Sequence, residues 1–162
     1  MLPAFEWKND RLVMIDQRKL PLKEIYLEFR DHNGVARAIE TMVVRGAPAI
    51  GVAAAYGVAL GMMGLASADA LDRRFASVYR RLERTRPTAR NLFWALERMK
   101  RTFEESWNLP LPALKRRLLD EARAIEREDV ATNEAIGRHG RSLIRNGWTV
   151  LTHCNAFSVL SL

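Results

Sequence analysis

Cysteine and histidine are scarce in this chain. Cys154 is the single cysteine among 162 residues, and there are three histidines. One thiol cannot form an internal disulfide, and no thiols or carboxylates stand at metal-ligand spacing from the histidines. The first residues, MLPAFEWKND, lack the basic start and apolar core of a secretory signal. We therefore expect no metal site and a protein of the reducing cytoplasm.

Long apolar runs are also rare, with one exception. Residues 48–66, PAIGVAAAYGVALGMMGLA, carry no charge and approach the roughly 20 residues that cross a bilayer. Alanine and glycine dominate this run, and both contribute little to membrane insertion. We expect a helix buried inside a protein, without membrane contact.

Acidic residues are outnumbered by basic ones. The chain has 26 lysines and arginines against 19 aspartates and glutamates, a formal net charge of +7. Guanidinium groups suit phosphate and carboxylate ligands, so a phosphorylated metabolite or nucleic acid is a candidate partner. The basic residues alternate with acidic ones at helical spacing and lack an aromatic stacking platform, which is typical of solvated helix faces. No nucleic-acid binding is expected.

The hydrophobic fraction of 48% is sufficient for a packed core. Asn9 and Asp10 separate two short runs and predict an N-terminal β-hairpin. Apolar residues three and four positions apart predict helices over residues 33–44, 48–66, 69–85, 88–107 and 112–144. In the second helix, Gly57 and Gly61 would let another helix approach closely. The first 145 residues are therefore predicted to be mainly helical, with a small hairpin.

The pattern changes at the end of the chain. Asn146 and Gly147 predict a turn, and WTVLTHC then has the pattern of a first central strand. Cys154 would lie at the carboxyl end of that strand, the edge where open α/β sheets bind ligands. Its thiol could exchange a proton with a ligand, or could be a buried structural cysteine. His153 should face the opposite side of the strand, so a Cys-His pair is not expected.

The segment VVRGAPAIG, residues 43–51, suggests an anion site. Ala47 precedes a proline and is expected to be extended, with a helix beginning at Pro48. The backbone amides of residues 49–51 would then lack helical partners, and with Arg45 they could bind phosphate at the positive end of the helix dipole. The alternative is that Gly46 and Pro48 form only a tight corner between helices.

The segment RTRPTARN, residues 84–91, repeats this arrangement. Arg86 precedes Pro87 and would be held extended at the start of a new helix, ready to reach across a cleft. The alternative is a surface arginine in a loop. The presence of two Arg-bearing helix starts in one basic chain strengthens the prediction of an anion site at both.

Taken together, these segments resemble the methylthioribose-1-phosphate isomerases. The resemblance covers residues 5–156 and is carried by FEWKNDRLVMIDQRKLP, TMVVRGAPAIGVAAAYGVALG, RPTARNLFWALERM and LTHCNA. It implies conversion of 5-methylthioribose 1-phosphate to 5-methylthioribulose 1-phosphate in methionine salvage, by a homodimer without a metal or nucleotide cofactor. It also implies a Rossmann-like α/β domain, of which residues 146–162 would be a truncated start.

The resemblance assigns roles to five residues. Arg45, Gly46 and Ala47 would contact the sugar phosphate, Arg86 would bind it from the second loop, and Cys154 would serve the hydrogen-transfer step. The aspartate that the family places further along has no counterpart here.

The chain departs from the family pattern after HCNA, where Phe157 and SVLSL follow. A large aromatic residue does not suit a βα turn that approaches a ligand. We therefore expect a truncation or a shifted reading frame after about residue 156, and little or no isomerase activity.

Three alternatives remain open. Ribose-1,5-bisphosphate isomerases and the regulatory subunits of initiation factor 2B resemble the same segments, and the latter are interaction modules. The presence of Arg45, Arg86 and Cys154 together favours the isomerases. The third alternative is a helical domain that folds alone, whose terminal apolar strand is prone to association.

Overall fold

The computed structural model describes residues 4–151. It contains a small antiparallel sheet followed by a bundle of α-helices. The strands are β1 (Phe5–Lys8), β2 (Arg11–Ile15) and β3 (Tyr26–Phe29). The helices are α1 (His32–Glu40), α2 (Ala47–Met63), α3 (Leu71–Glu83), α4 (Arg90–Glu105) and α5 (Leu111–Arg141), with a short 3-10 helix at Ala68–Ala70.

The predicted hairpin is confirmed. Asn9 and Asp10 both have positive φ, 51° and 55°, as a two-residue turn between twisted antiparallel strands requires. Lys8 pairs with Arg11 across this turn. The third strand was not predicted: Leu12 pairs with Phe29 on its other side, so β2 lies in the centre of the sheet.

Helix α1 is shorter than its apolar pattern suggested, and the predicted extension to Val44 is wrong. The helix ends at Glu40, Met42 adopts a φ of 59°, and the Val43 N–H donates to the Ala38 carbonyl at 2.9 Å. This reversal buries Val43 and Val44 against the core, with 4% and 2% of their surfaces exposed. Burial of these two apolar side chains outweighs continuation of the helix.

Helix α2 is the centre of the bundle, as its uncharged sequence predicted. Every residue from Ala49 to Met62 is buried, and α1, α3, α4 and α5 all pack against it. A Cβ added at Gly61 would lie 2.5 Å from Val78 Cγ2, which confirms the predicted close approach of a second helix. Over residues 4–151, no helix is both long and apolar enough to cross a membrane.

The direction of the helices brings several helix ends together. Gly51, in the first turns of α2, lies against Asn91 at the start of α4. At the opposite end of α2, Lys115 Nζ donates to the Met63 and Leu65 carbonyls at 3.0 and 2.6 Å, so α5 runs antiparallel to α2. The starts of α2 and α4 therefore share one end of the bundle. Helix α5 passes this end and continues to Arg141.

The C-terminal part agrees with the prediction only in its turn. Asn146 and Gly147 form the expected turn, with Gly147 at a φ of 85°. The buried strand predicted from Trp148 is wrong for residues 148–151, which are not in a strand and leave Leu151 96% exposed. A central strand needs neighbouring strands, and the three strands described belong to the N-terminal sheet. The rest of the predicted strand lies outside the described residues.

Candidate functional site

The connection between α1 and α2 places Arg45, Gly46 and Ala47 in succession before the central helix. Gly46 precedes the helix with φ 95° and ψ 131°, a conformation that side chains strongly disfavour. Ala47 is exposed and is already the first residue of α2, so the extended conformation predicted for it is wrong. A residue that precedes a proline disfavours the helical conformation. Proline is nevertheless tolerated in the first turn of a helix, where an N–H would have no helical partner, and Ala47 adopts the helical conformation there.

This helix start offers fewer free amides than the sequence suggested. The Ile50 N–H donates to the Gly46 carbonyl at 3.0 Å, so the helical ladder begins with Ile50. Pro48 has no N–H to offer. The first-turn donors are therefore the amides of Ala47 and Ala49, in addition to that of Gly46.

Arg45 is held against the end of the sheet. Its Nη2 donates to the Gln17 carbonyl at 3.1 Å, and Gln17 Nε2 donates to the Arg45 carbonyl at 3.3 Å. The side chain is half-buried, and its Nε is buried without a hydrogen-bond partner among residues 4–151. Arg45 therefore has donors available beside the start of α2.

Arg86 occupies the loop between α3 and α4. The Ala89 N–H donates to the Arg86 carbonyl at 3.0 Å, which closes a β-turn with Pro87 in its second position. The helix predicted from residue 88 begins two residues later, at Arg90, because this turn intervenes. Arg86 is half-buried and lies one turn before the helix start.

The two loops lead into helices that touch each other. A Cβ added at Gly51 would lie 2.9 Å from the Asn91 carbonyl oxygen, so the first turns of α2 and α4 are in direct contact. Arg45 and Arg86 therefore lie at the same end of the bundle, each just before one of these helices. This is the arrangement that the paired Arg-Pro segments suggested.

A cleft of about 780 Å³ lies beside this contact. Helices α2, α4 and α5 form its walls, and neither Arg45 nor Arg86 lines it. The lining residues are Pro48, Gly51, Val52, Arg90, Asn91, Phe93, Trp94, Glu97, Ile125, Glu128, Asp129 and Thr132.

Charged contacts hold the α4 and α5 walls together. Arg98 donates to Glu121 Oε1 at 2.6 Å and binds Glu128 through both terminal nitrogens, which holds the pKa of Glu128 below its usual range. The guanidinium also lies 5.6 Å from the ring centre of Trp94. Burial raises the pKa of Asp129, so this cleft carboxyl holds its proton more readily than an exposed one.

Sequence reasoning missed the polar residues of this cleft. Arg90 and Asn91 fall inside the quoted segment RTRPTARN, and their place in the first turn of α4 was a usable signal. Trp94 is 48% exposed, which is unusual for a large aromatic residue. The spacing of apolar residues along α4 did not predict this exposure. Asp129 gave no signal, because its neighbours come from helices far away in the sequence.

Cys154 and His153 lie outside the described residues, so the predicted role of Cys154 stays a prediction. Within residues 4–151, no group of three or more histidine, cysteine, aspartate or glutamate side chains could hold a metal ion.

Comparison with known proteins gives consistent relatives. The chain is 54% identical over 160 residues to the methylthioribose-1-phosphate isomerase of Geobacter sulfurreducens, covering 94% of this chain and 45% of that protein. It is 55% identical over 158 residues to that of Syntrophotalea carbinolica, covering 96% of this chain and 46% of the relative. The chain therefore spans about half the length of the curated relatives it matches.

Two solved structures share the fold. The crystal structure of 5-methylthioribose 1-phosphate isomerase from Pyrococcus horikoshii OT3 matches with a TM-score of 0.85 and 42% identity, over 90% of this chain and 42% of that one. Translation initiation factor eIF-2B, subunit delta, from A. fulgidus matches with a TM-score of 0.86 and 36% identity, over 99% of this chain and 47% of that one. These matches confirm the mainly helical fold with a small N-terminal sheet.

The family assignment rests on the larger part of the chain. The initiation factor 2 subunit family matches residues 43–162, which begin with the Arg45 loop and include α2 to α5. Together with the relatives above, this match shows that the chain belongs to the initiation factor 2 subunit family.

Proposed function

We propose that this chain binds the substrate phosphate of a methylthioribose-1-phosphate isomerase, which converts 5-methylthioribose 1-phosphate to 5-methylthioribulose 1-phosphate. The observation that carries the proposal is the direct contact between the starts of α2 and α4, because it places the Arg45 and Arg86 loops at one end of the bundle. The names of the relatives that are 54% and 55% identical supply the substrate.

The chemistry of the two loops suits a phosphate monoester. Arg45 supplies a guanidinium, and the N–H groups of Gly46 and Ala47 stand at the positive end of the α2 dipole. Arg86 would add a second guanidinium from the neighbouring loop. Forked guanidinium contacts together with backbone amides are a common way to bind phosphate oxygens.

The proposed reaction is an isomerisation and needs no net oxidant or reductant. With phosphate on C1, the bond between C1 and the ring oxygen must first break. The ring oxygen takes up a proton and becomes a hydroxyl, the hydrogen on C2 moves to C1, and the C2 hydroxyl loses its proton to become a ketone, so the protons balance. In this proposal the phosphate contacts hold the sugar in place, and Cys154 serves the hydrogen transfer by acid-base action or by stabilising the transition state.

The wider assembly is also part of the proposal. We place the boundary between the helical domain and the start of a Rossmann-like domain at residues 145–146. The resemblance to the isomerases supports a homodimer of the full-length protein, and the single cysteine supports the cytoplasm. Sedimentation equilibrium of the purified chain tests whether the helical domain carries the dimer contact, and a purely monomeric profile would place that contact elsewhere.

Titration with 5-methylthioribose 1-phosphate, followed by calorimetry, tests the phosphate site. We expect Arg45→Ala and Arg86→Ala each to weaken binding by about tenfold or more, because each removes a charge-assisted hydrogen bond. Arg73→Ala is the matched control, since Arg73 is an exposed arginine on α3. Equal weakening by all three substitutions would show only an effect of net charge and would refute the site. Turnover by the 162-residue chain is expected to be low or absent.

The match to the eIF-2B delta subunit favours a second candidate, a non-catalytic interaction subunit. The same titration separates the two candidates. Binding of a sugar phosphate that is lost in Arg45→Ala supports the isomerase. No binding, with a protein partner recovered by pull-down, supports the interaction subunit. Tighter binding of ribose 1,5-bisphosphate than of the methylthio sugar would instead support the related bisphosphate isomerase.

A further inference from the structure

We infer that Gln17 is a positioning residue for the phosphate site, and that the N-terminal sheet acts on the site through it. This inference rests on the proposed function, because it concerns the orientation of the Arg45–Gly46 peptide, whose N–H belongs to the proposed phosphate site. Gln17 follows the end of β2 and contributes no atom to the site itself.

Gln17 binds the Arg45 loop through three of its four polar groups. Its backbone N–H donates to the Val43 carbonyl at 3.0 Å, and its backbone carbonyl accepts from Arg45 Nη2 at 3.1 Å. Its side-chain Nε2 donates to the Arg45 carbonyl at 3.3 Å. Gln17 is only 5% exposed, so water has little access to replace these bonds.

The bond from Nε2 sets the direction of the next amide. A peptide is planar and trans, so its C=O and N–H groups point in opposite directions. Because the Arg45 carbonyl is directed at Gln17, the Gly46 N–H is directed away from β2. The space beside Gly46 is open, since a Cβ there would have only Ala49 Cβ, at 4.0 Å, within reach. In the proposed site, a phosphate oxygen accepts from this N–H.

Gln17 is itself fixed from both sides. The Asp16 N–H donates to the Ile25 carbonyl at 2.7 Å, which continues the sheet past β2. Arg18 binds the buried Asp16 carboxylate through Nε and Nη2 at 2.8 and 2.7 Å. The sheet thus presents Gln17 to the Arg45 loop as a rigid support.

Gln17→Met tests the inference, since it keeps the length of the side chain and removes the donor. In ¹H–¹⁵N NMR spectra of the 162-residue chain without ligand, we expect the Gly46 amide signal to move. On titration with inorganic phosphate, we expect the dissociation constant to rise roughly three- to tenfold, the range for one lost hydrogen bond. Tyr26→Phe is the control, because it removes an exposed hydrogen bond to Glu24 in the same sheet, keeps the net charge and touches neither Gln17 nor the Arg45 loop.

The two readouts separate the inference from the proposed function. A Gly46 signal and a phosphate affinity that match the Tyr26→Phe control would overturn the role of Gln17 and leave the phosphate site intact. Absence of any phosphate response at Gly46 in the unsubstituted chain would overturn the phosphate site, while the ligand-free Gly46 signal would still decide the role of Gln17. If Gln17→Met fails to fold, Gln17→Leu gives the same test, because leucine is uncharged and cannot donate to the Arg45 carbonyl.

Discussion

At the scale of single residues, the backbone of Gly46 is the feature most closely tied to the site. Its φ of 95° is open to glycine and strained for any other residue. A side chain would meet no steric obstacle in the surroundings, so the strain comes from the backbone alone. The glycine is therefore required by the turn into α2 and not by packing.

Gly46→Ala is expected to lower the free energy of unfolding by about 1–3 kcal/mol, the cost of one strained backbone conformation. Urea denaturation followed by circular dichroism measures this change. Gly137→Ala is the matched control: Gly137 lies within α5 with open space around it, so alanine should stabilise the helix by about 0.5–1 kcal/mol. Equal effects of the two substitutions would argue against strain at Gly46.

His32, at the start of α1, predicts a pH dependence of stability. It is 6% exposed, and its pKa lies below the ordinary value of 6.5, first because of burial and then because of the nearby Arg74. The folded protein thus holds this proton less readily than the unfolded chain does. Stability is therefore expected to fall as pH drops below about 6.5, since protons then favour the unfolded state.

Thermal unfolding midpoints measured between about pH 7.5 and 5 test this effect. This range extends roughly one pH unit or more to either side of the ordinary histidine pKa. His32→Gln should flatten the profile in that window, because glutamine does not titrate. Asp16 contributes in a different window: Arg18 lowers the pKa of Asp16, so its stabilisation is lost only as pH falls below 3.8. An unchanged profile in His32→Gln would refute the assignment to this histidine.

At the scale of secondary structure elements, α2 and α3 come into close contact at Gly61. An alanine at Gly61 would place its Cβ 2.5 Å from Val78 Cγ2. Val78 is fully buried, and its Cγ1 and Cβ would also lie 2.7 and 3.2 Å from the added Cβ, so α2 and α3 would have to move apart. Gly57 is a second close approach, where an added Cβ would lie 3.0 Å from Leu82 Cδ2.

Gly61→Ala is expected to destabilise the fold by about 1–3 kcal/mol through overpacking, measured by thermal and urea denaturation. Gly64→Ala is the control at the same end of α2, because its Cβ would meet only Arg74 Nη2 at an ordinary 3.6 Å. A Gly61→Ala protein as stable as Gly64→Ala would show that α3 can shift without cost.

At the scale of the whole molecule, the end of the chain exposes apolar surface. The exposed residues include Ile136, Leu143, Ile144, Trp148, Val150 and Leu151, and Leu143 and Leu151 are 75% and 96% exposed. Several large apolar side chains exposed within residues 136–151 promote association in water. We therefore expect the chain to self-associate as its concentration rises.

The double substitution Leu143→Lys and Leu151→Lys should increase the monomer fraction in sedimentation velocity experiments. Leu22→Lys is the control, since Leu22 is 91% exposed but lies far away along the chain, between β2 and β3. The same monomer fraction in both proteins would place the association surface elsewhere.

Local chemistry was sufficient to predict much of the fold. The Asn9-Asp10 turn, the long uncharged helix and the breaks at residues 86–87 and 108–111 between the predicted helices were all predicted from neighbouring residues. Each depends on interactions within a few positions, such as positive φ in a tight turn or a missing proline N–H. The Arg45 and Arg86 loops were found by the same local reasoning.

Contacts between distant segments accounted for what could not be predicted. Strand β3 exists because β2 offers it a free edge, and α1 ends early because burying Val43 and Val44 is worth more than another helical turn. The cleft between α2, α4 and α5 and the support of Arg45 by Gln17 join residues 28 or more positions apart. Apolar spacing shows which face of a helix is buried, but only packing in three dimensions determines what that face meets.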